Sequence, residues 1–198
     1  DHAFRSAFRR CCQNGHALAA KTLAEHLKFL NLVQTDGLQC MVGAAANGHI
    51  LVVSWLGEHS DLVSGSIADW TKVMCAAAAG GHIAILELLW SLRSDLKSPR
   101  VCLEGLLSAL SAGHISFVIS LFPTAKTADT YSAEQALLAC VLGRQWSAMR
   151  WLLEHDDTVR AIPDYRHVSI LVKACELGDA YVLQVLRDAG IWDVVDGG

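Results

Sequence analysis

A Gly-His step recurs along this chain at almost equal intervals, and this repetition constrains the fold more than any other feature. Four clear copies have glycines 33, 33 and 32 residues apart, and two weaker copies follow. The six glycines are Gly15, Gly48, Gly81, Gly113, Gly143 and Gly178. Tandem units of this length bury their apolar surface mainly against neighbouring units. The 198-residue sequence therefore predicts six stacked units in one domain.

Each Gly-His step predicts a corner between two helices. In the stretch AAAAGGHIAILELLW, from Ala76 to Trp90, two glycines separate an alanine run from an apolar run. Glycine costs roughly 1 kcal/mol inside a helix, but it suits the left-handed position that ends one. The residues three and four places before each glycine are small in every copy, except for Leu110. Small residues there let the first helices of successive units pack closely side by side.

After each corner, branched apolar residues recur at helical spacing and predict the buried face of a second helix. They are Ile50, Val53 and Leu56; Ile83, Leu86 and Leu89; Ile115, Val118 and Leu121; Val182, Val185 and Leu186. In the fifth copy, Trp146, Met149 and Trp151 fall into this apolar phase only if one residue is inserted after Gly143. We therefore predict a one-residue slip in the fifth unit.

The stretches AAANGHILVVSWL and GDAYVLQVLRDAG are the strongest copies of a pattern that resembles the ankyrin repeat. The resemblance covers nearly the whole chain, although the T-P-L-H opening of that family is replaced by QCMV, KVMC or EGLL. It implies an all-α, ankyrin-like helix-turn-helix repeat solenoid with short loop or hairpin fingers. The approximate units are 1–33, 34–66, 67–98, 99–129, 130–163 and 164–198, in a single domain spanning 1–198.

The composition disfavours several classes of partner. The formal net charge is −4, and basic residues are scattered singly or in short pairs such as Arg9-Arg10, so we expect no nucleic-acid partner. The apolar runs are far shorter than the roughly 20 residues of a bilayer span, so we expect no membrane insertion. Seven cysteines, with no apolar signal segment at the start, predict a reducing compartment, either cytoplasm or nucleus.

Nine histidines and seven cysteines raise the question of a metal site. The cysteines occupy filler positions of the repeat without a C-x-x-C motif, and corner histidines one unit apart are too distant to share an ion. The corner histidines are His16, His49, His82 and His114, which the resemblance implies hydrogen-bond backbone between units. His26, His59 and His155 end second helices and suit the carbonyl end of the helix dipole. We expect no metal and no small-molecule cofactor.

Catalysis within these residues is also not expected. Cys75 and His82 flank one corner and are the nearest approach to a Cys-His hydrolase, but equivalent positions recur in other units. A catalytic pair should be unique rather than periodic. A thiol enzyme stays open as an alternative, and it predicts that Cys75→Ala abolishes turnover.

The resemblance implies that a partner protein or peptide segment binds the concave face, formed by fingers and exposed first-helix positions. Carried over by register, that face includes Asp36, Leu38, Gly43, Ala46, Asp69, Trp70, Ala76, Ala79, Arg100, Leu103, Ser108, Tyr131, Arg166 and Lys173. We single out Asp36, Leu38, Asp69, Trp70, Arg100, Leu103, Tyr131 and Arg166 as partner-binding residues. An aromatic and arginine set around an apolar centre is typical of an interface hot spot.

Four alternatives stay open at this stage. Trp70 and Tyr131 can instead pin short fingers to the next unit. The chain can be a targeting or autoinhibitory arm of a multidomain enzyme whose catalytic domain lies elsewhere. It can be a structural oligomer built through apolar ends, with Phe4 and Phe8 at one end and residues 191–195 at the other. It can also be the recruiting part of a secreted effector that acts in a host cytosol.

Overall fold

The computed structural model describes residues 2–27, 31–59, 65–160, 162 and 164–189. These residues form thirteen α-helices and one short 3-10 helix, with no strand among them. In chain order the helices are α1 His2–Gln13, α2 Ala17–His26, α3 Leu32–Ala46, α4 Ile50–His59, α5 Ile67–Gly80, α6 Ile83–Leu92, α7 Pro99–Ala112, α8 Ile115–Ala125, α9 Ala133–Gly143, α10 Trp146–His155, α11 Asp157–Arg160, α12 Asp164–Glu176 and α13 Ala180–Asp188. The predicted all-α class is confirmed over this part of the chain.

Six tight corners pair these helices into six units. The corner residue has a left-handed backbone in every unit, with φ between 55° and 81°. These residues are Gly15, Gly48, Gly81, Gly113, Arg144 and Gly178. We call α1, α3, α5, α7, α9 and α12 the first helices, and α2, α4, α6, α8, α10 and α13 the second helices, of units 1 to 6. The predicted helix breaks at the glycines are thus real corners.

The fifth corner differs from the others as predicted. Its left-handed residue is Arg144, one position after the glycine, so Gly143 corresponds to Gly80 rather than to Gly81. A Cβ on Gly143 would lie 1.8 Å from the carbonyl oxygen of Ser111 in the preceding unit. Only glycine permits that close approach of two backbones, and the corner itself is displaced by one residue. The predicted one-residue slip is confirmed.

The first helices pack in series, each against the first helix of the next unit, from α1 through to α12. Residues at one shared position point from the first helices into the core, and all are fully buried from unit 1 to unit 5. They are Phe8, Met41, Met74, Leu106 and Leu137. Second-helix residues complete one continuous apolar core that runs through the stack. No helix among the described residues is both long and apolar enough to span a bilayer.

The buried face of the second helices is rotated slightly from the predicted one. Val53, Leu56, Leu86 and Leu89 are buried as expected, and so are the predicted residues Val118, Leu121, Val182 and Leu186. Ile50 is exposed, while Ile83, Ile115 and Val185 are only half-buried. Ile50, Ile83 and Ile115 are each the first residue of their helix, next to the corner, whereas Val185 lies within α13.

The described connections between units are helical turns or irregular loops. A 3-10 helix, Ser94–Lys97, joins units 3 and 4, and the short helix α11 precedes unit 6. Residues 126–132 make turns between units 4 and 5. The hairpin form of the predicted fingers is therefore not observed in these three connections. Residues 191–195, which the sequence suggested as an apolar end, lie outside the described residues.

Candidate functional site

Stacking leaves one side of the first helices open to solvent in units 2 to 5. Three residues on each helix, separated by four and then three positions, lie on that side. Together they form what we call the first-helix face: Gln39, Gly43 and Ala46; Lys72, Ala76 and Ala79; Glu104, Ser108 and Ser111; Gln135, Ala139 and Leu142. The first and last member of each set is exposed, and the middle one is half-buried. The face is polar along one side and small or apolar along the centre and the other side.

Asp36 was predicted to lie exposed on the concave face, and this prediction is wrong. Its carboxylate is buried between α1 and α3, where Arg5 Nη1 donates at 2.9 Å and Arg9 Nε donates at 3.0 Å. Thr35 Oγ1 donates as well, at 3.1 Å. Burial raises the pKa of Asp36, but the bonds from Arg9, Thr35 and Arg5 together hold its pKa below the ordinary value. Asp36 therefore joins units 1 and 2 and offers no free charge to a partner.

Trp70 and Leu103 were also predicted to be exposed, and they are buried. Trp70 retains 1% of its surface, and the guanidinium of Arg93 lies 5.7 Å from the centre of its ring. The same guanidinium donates to the carbonyl of Gly65 at 2.7 Å, which ties the connection before α5 to the one after α6. Trp70 also lies against unit 2, because a Cβ on Gly57 would be 3.7 Å from its ring. The alternative role for Trp70, to hold a connection in place, fits this geometry.

Asp69 and Leu38 are half-buried. Asp69 closes a cap with Ser66, whose Oγ accepts from the Asp69 amide at 3.3 Å and donates to its carboxylate at 2.9 Å. Lys72 Nζ lies 2.9 Å from the same carboxylate. Hydrogen bonds from Lys72 and Ser66 hold the pKa of Asp69 below its ordinary value. The Asp69 side chain thus takes part in the cap at the start of α5, and its hydrogen bonds are made within its own unit.

Among the predicted site residues whose side chains the structure describes, Arg100 is the most exposed, with 86% of its side chain accessible. Its Nε lies 3.9 Å from Glu104 Oε1, a weak surface pair. Arg166 lies on α12, and its side chain is outside the described part of the structure. Arg100 and Glu104 stand one turn apart at the polar side of the first-helix face.

Tyr131 is committed to a buried network that the sequence did not indicate. Its hydroxyl donates to Oδ2 of Asp156, a carboxylate with no accessible side-chain surface. Lys126 Nζ lies 2.9 Å from Oδ1, and Thr158 donates to Oδ1 from its amide at 3.1 Å and its hydroxyl at 2.7 Å. The one sequence signal was Asp156 two residues before Thr158, a spacing typical of a helix cap.

The network shifts the pKa of both partners. Burial raises the pKa of Tyr131, and the adjacent Asp156 carboxylate raises it further. For Asp156, burial raises the pKa, but hydrogen bonds from Tyr131, Thr158 and Lys126 together bring it below the ordinary value. Phe122 packs edge-on against both Tyr131 and Trp151, so the network lies against an aromatic cluster. The arrangement holds the connections around unit 5 together rather than forming an open site.

Two of the four corner histidines, His82 and His114, hydrogen-bond to the preceding unit, as the resemblance implies. His82 Nε2 donates to the carbonyl of Ala46 at 3.1 Å, and His114 Nε2 donates to that of Ala79 at 2.9 Å. Each ring also covers the corner glycine of the preceding unit; a Cβ on Gly81 would lie 2.5 Å from His114 Nδ1. Ala46 and Ala79 belong to the first-helix face, so the histidines fix the spacing of its edge. His26, His59 and His155 bond to carbonyls four residues earlier, as expected for helix ends.

Four of the cysteines, Cys12, Cys40, Cys102 and Cys140, are buried in the stack. All seven cysteines are free, and no group of three or more His, Cys, Asp or Glu among the described residues could hold a metal ion. A hydrogen bond with Cys40, together with burial, raises the pKa of Cys12. Burial raises the pKa of Cys102 to about 11 and outweighs the opposing bond with Ser108 at Cys75. Nucleophilic cysteines have lowered pKa values, so Cys75 lacks the activation that the thiol-enzyme alternative requires.

Comparison of this chain with protein-family models, with curated proteins and with solved structures finds no match. The geometry of the first-helix face therefore carries the functional argument.

Proposed function

We propose that this chain is a protein-recognition module of ankyrin-like repeats that binds a segment of another protein across the first-helix face. Four features support the ankyrin-like assignment: the period near 33 residues, the left-handed corners, the histidines between units and the serial packing of first helices. The proposal includes no catalysis, metal or small-molecule cofactor. Seven free thiols suit a reducing compartment, which we propose is the cytoplasm or nucleus.

The observation that carries the proposal is the open side of four successive first helices. The middle and last residues of each set hold glycine, alanine or serine, except for the exposed Leu142 in unit 5. Small side chains allow the backbone or short side chains of a partner to approach closely over a long surface. The first residues of the sets, Gln39, Lys72, Glu104 and Gln135, supply hydrogen-bonding groups with little net charge. Such a surface suits an extended or helical peptide segment.

The predicted set of partner-binding residues is revised by this geometry. Asp36, Trp70 and Leu103 are buried and Tyr131 bonds to Asp156, so these four act within the stack. Arg100 remains available at the polar side of the face and is the strongest candidate for a charged contact. Gly43, Ala46, Ala76, Ala79 and Ser108 lie on the face where the register had placed them.

Two matched pairs of substitutions test the proposal. Ala79 and Ser111 lie on the first-helix face, while Ala84 and Ser116 are equally exposed on the second helices of the same units. Peptides would be selected from a displayed random library against the native chain, and their affinities measured by fluorescence anisotropy. We expect the double variant Ala79→Arg, Ser111→Arg to weaken binding at least about tenfold, or about 1.4 kcal/mol. The double variant Ala84→Arg, Ser116→Arg should bind like the native chain.

The opposite pattern would contradict the proposal. If the second-helix variant loses binding and the first-helix variant retains it, the recognition surface lies on the other side of the units. Arg100→Ala in the same assay tests the charged contact, for which we expect a loss of about 1 kcal/mol or more. Circular dichroism and urea unfolding of every variant separate lost binding from lost folding.

A further inference from the structure

The two ends of the stack leave exposed the positions that every other unit buries. On the unit 1 side, Ala7 and Ala19 are exposed and Cys11 is half-buried. The residues equivalent to these three are buried in all five later units. Phe4, with 47% of its surface accessible, lies on the same side. We call Phe4, Ala7, Cys11 and Ala19 the unit 1 face.

On the unit 6 side, Cys175 is exposed and Leu183 is half-buried, whereas their equivalents are buried in all five earlier units. Val168 and Val172 expose 53% and 51% of their surface, and their equivalents are half-buried or buried elsewhere. We call Val168, Val172, Cys175 and Leu183 the unit 6 face.

The internal interfaces show what fits each of these faces. Arg9, at the position of Val172, reaches Asp36 on the first helix of the next unit. Cys12, at the position of Cys175, and Cys40, at the position of Ala7, are both fully buried, and Cys40 raises the pKa of Cys12. The side of a unit that corresponds to the unit 6 face is thus covered by the side that corresponds to the unit 1 face, five times within the chain. Within the described part of the chain, both complementary faces are open on the same molecule.

We propose that the chain associates head to tail with a second copy of itself, the unit 6 face of one copy packing on the unit 1 face of the other. The contact continues the internal packing and places Val168, Val172 and Leu183 of one copy against Ala7, Cys11 and Ala19 of the other. The position of Cys11 holds alanine or cysteine in every later unit. Because the two faces differ, the contact is heterologous, and each added copy leaves one face of each kind open. This inference is independent of the first-helix face, which the contact leaves accessible.

Mixing two single variants tests this arrangement. Ala7→Glu places a charge on the unit 1 face, and Val172→Glu places one on the unit 6 face, both at exposed positions. In analytical ultracentrifugation between about 10 µM and about 1 mM, we expect the native chain to form a concentration-dependent series of oligomers. Each variant alone should stay monomeric, because its only intact face has no intact partner. An equimolar mixture should form dimers and nothing larger, since one intact face remains on each variant.

Leu51→Glu is the matched control for added charge. Leu51 exposes 72% of its surface on the outer side of α4, away from both end faces. We expect this variant to oligomerise like the native chain. A native chain that stays monomeric up to about 1 mM, a mixture that does not dimerise, or loss of association in Leu51→Glu would each overturn the proposal.

A cross-link gives a measurement that does not depend on disrupting the contact. Cys12 and Cys40 are buried together between units 1 and 2, so Ala7→Cys should bring its thiol next to Cys175 of another copy. Diamide would oxidise the two thiols to a disulfide and be reduced to the hydrazine. We expect a reducible dimer band in Ala7→Cys that disappears when Cys175→Ala is added. Equal cross-linking without Cys175 would show that the copies meet in another orientation.

Discussion

Units 3 and 6 share the same helix, corner and helix but differ in what covers them. In unit 3, Ala78 is fully buried by unit 4, and the His114 ring covers the corner glycine Gly81. In unit 6, the residue equivalent to Ala78 is the exposed Cys175. A Cβ on Gly178 would meet nothing within 4 Å among the described residues. The difference teaches that burial in this fold is supplied by the neighbouring unit, not by the unit's own sequence.

The largest effect expected from this comparison is at the equivalent positions of Ala78 and Cys175. Ala78→Arg forces a charge into a close-packed interface and should cost more than about 4 kcal/mol of unfolding free energy. Cys175→Arg leaves its charge in water and should change stability by no more than about 0.5 kcal/mol. Urea unfolding at low protein concentration measures both. Similar losses at the two positions would break the comparison.

A carboxylate inside the stack should matter more than one at its surface. Asp156→Ala leaves Lys126 and the Tyr131 hydroxyl without their buried partner, and we expect a loss of about 3–5 kcal/mol. Asp69→Ala removes a cap and a surface ion pair, and we expect a loss of about 1 kcal/mol. Chemical denaturation at pH 7 compares the two variants. A larger loss in Asp69→Ala would show that the network around Asp156 is dispensable.

The same carboxylate gives the stack a dependence on acid. The pKa of Asp156 in the folded chain lies below its ordinary value, which is about 3.9 in unfolded chains. Its contribution to stability is therefore fully present above about pH 5 and is lost as the pH falls through the lower folded-state pKa. Unfolding free energies of the native chain and of Asp156→Ala should converge between about pH 5 and about pH 2. If the difference in unfolding free energy between the two proteins stays constant over this range, the ionised Asp156 is excluded as the cause of the acid dependence.

The corner glycines of units 3 and 6 test the same comparison, with smaller expected losses of stability. Gly178→Ala should cost about 1 kcal/mol, because alanine is strained in the left-handed conformation. Gly81→Ala carries the same strain and also places a methyl group against the His114 ring, so we expect about 2–3 kcal/mol. Thermal and urea unfolding of the two variants give the difference. Equal losses would mean that the ring moves away at no cost.

The smallest effect expected is at the residue that follows each corner. His114→Ala removes a hydrogen bond to the carbonyl of Ala79 in the preceding unit, and we expect a loss of about 1 kcal/mol. Gln145 occupies the equivalent position in unit 5, but its amide donates to Gly143 within its own unit. Gln145→Ala should therefore cost about half as much, as measured by the shift of the urea midpoint.

The repeat pattern predicted the helix pairs, the corners and the displaced fifth corner, because these depend on local backbone preferences and on spacing. It could not predict that Asp36 is buried and paired, since Arg5 and Arg9 contact that carboxylate only after units 1 and 2 have stacked. Trp70 was misplaced for a similar reason, because Arg93 covers it from the far end of the same unit.

The first-helix face shows where prediction from register succeeds. The register of the ankyrin resemblance assigned Ala46, Ala79 and Ser108 to an open face, and Ala46 and Ala79 are exposed while Ser108 is half-buried. Asp156 was missed because Lys126 and Tyr131 belong to the distant connection between units 4 and 5, and only its cap to Thr158 is local. Charged residues that are neutralised across units are thus the part of this molecule that a sequence pattern leaves out.

The corner hydrogen bonds also have a direction in time. His82 and His114 each bond backward to a unit that precedes them in the chain, so a corner is secured only by residues synthesised later. His82 follows Ala46 by 36 residues in the chain, and the ribosome takes roughly 2–7 s to synthesise that many residues. During synthesis, each new unit therefore supplies the histidine hydrogen bond that holds the preceding unit. The most recently made unit still lacks that bond.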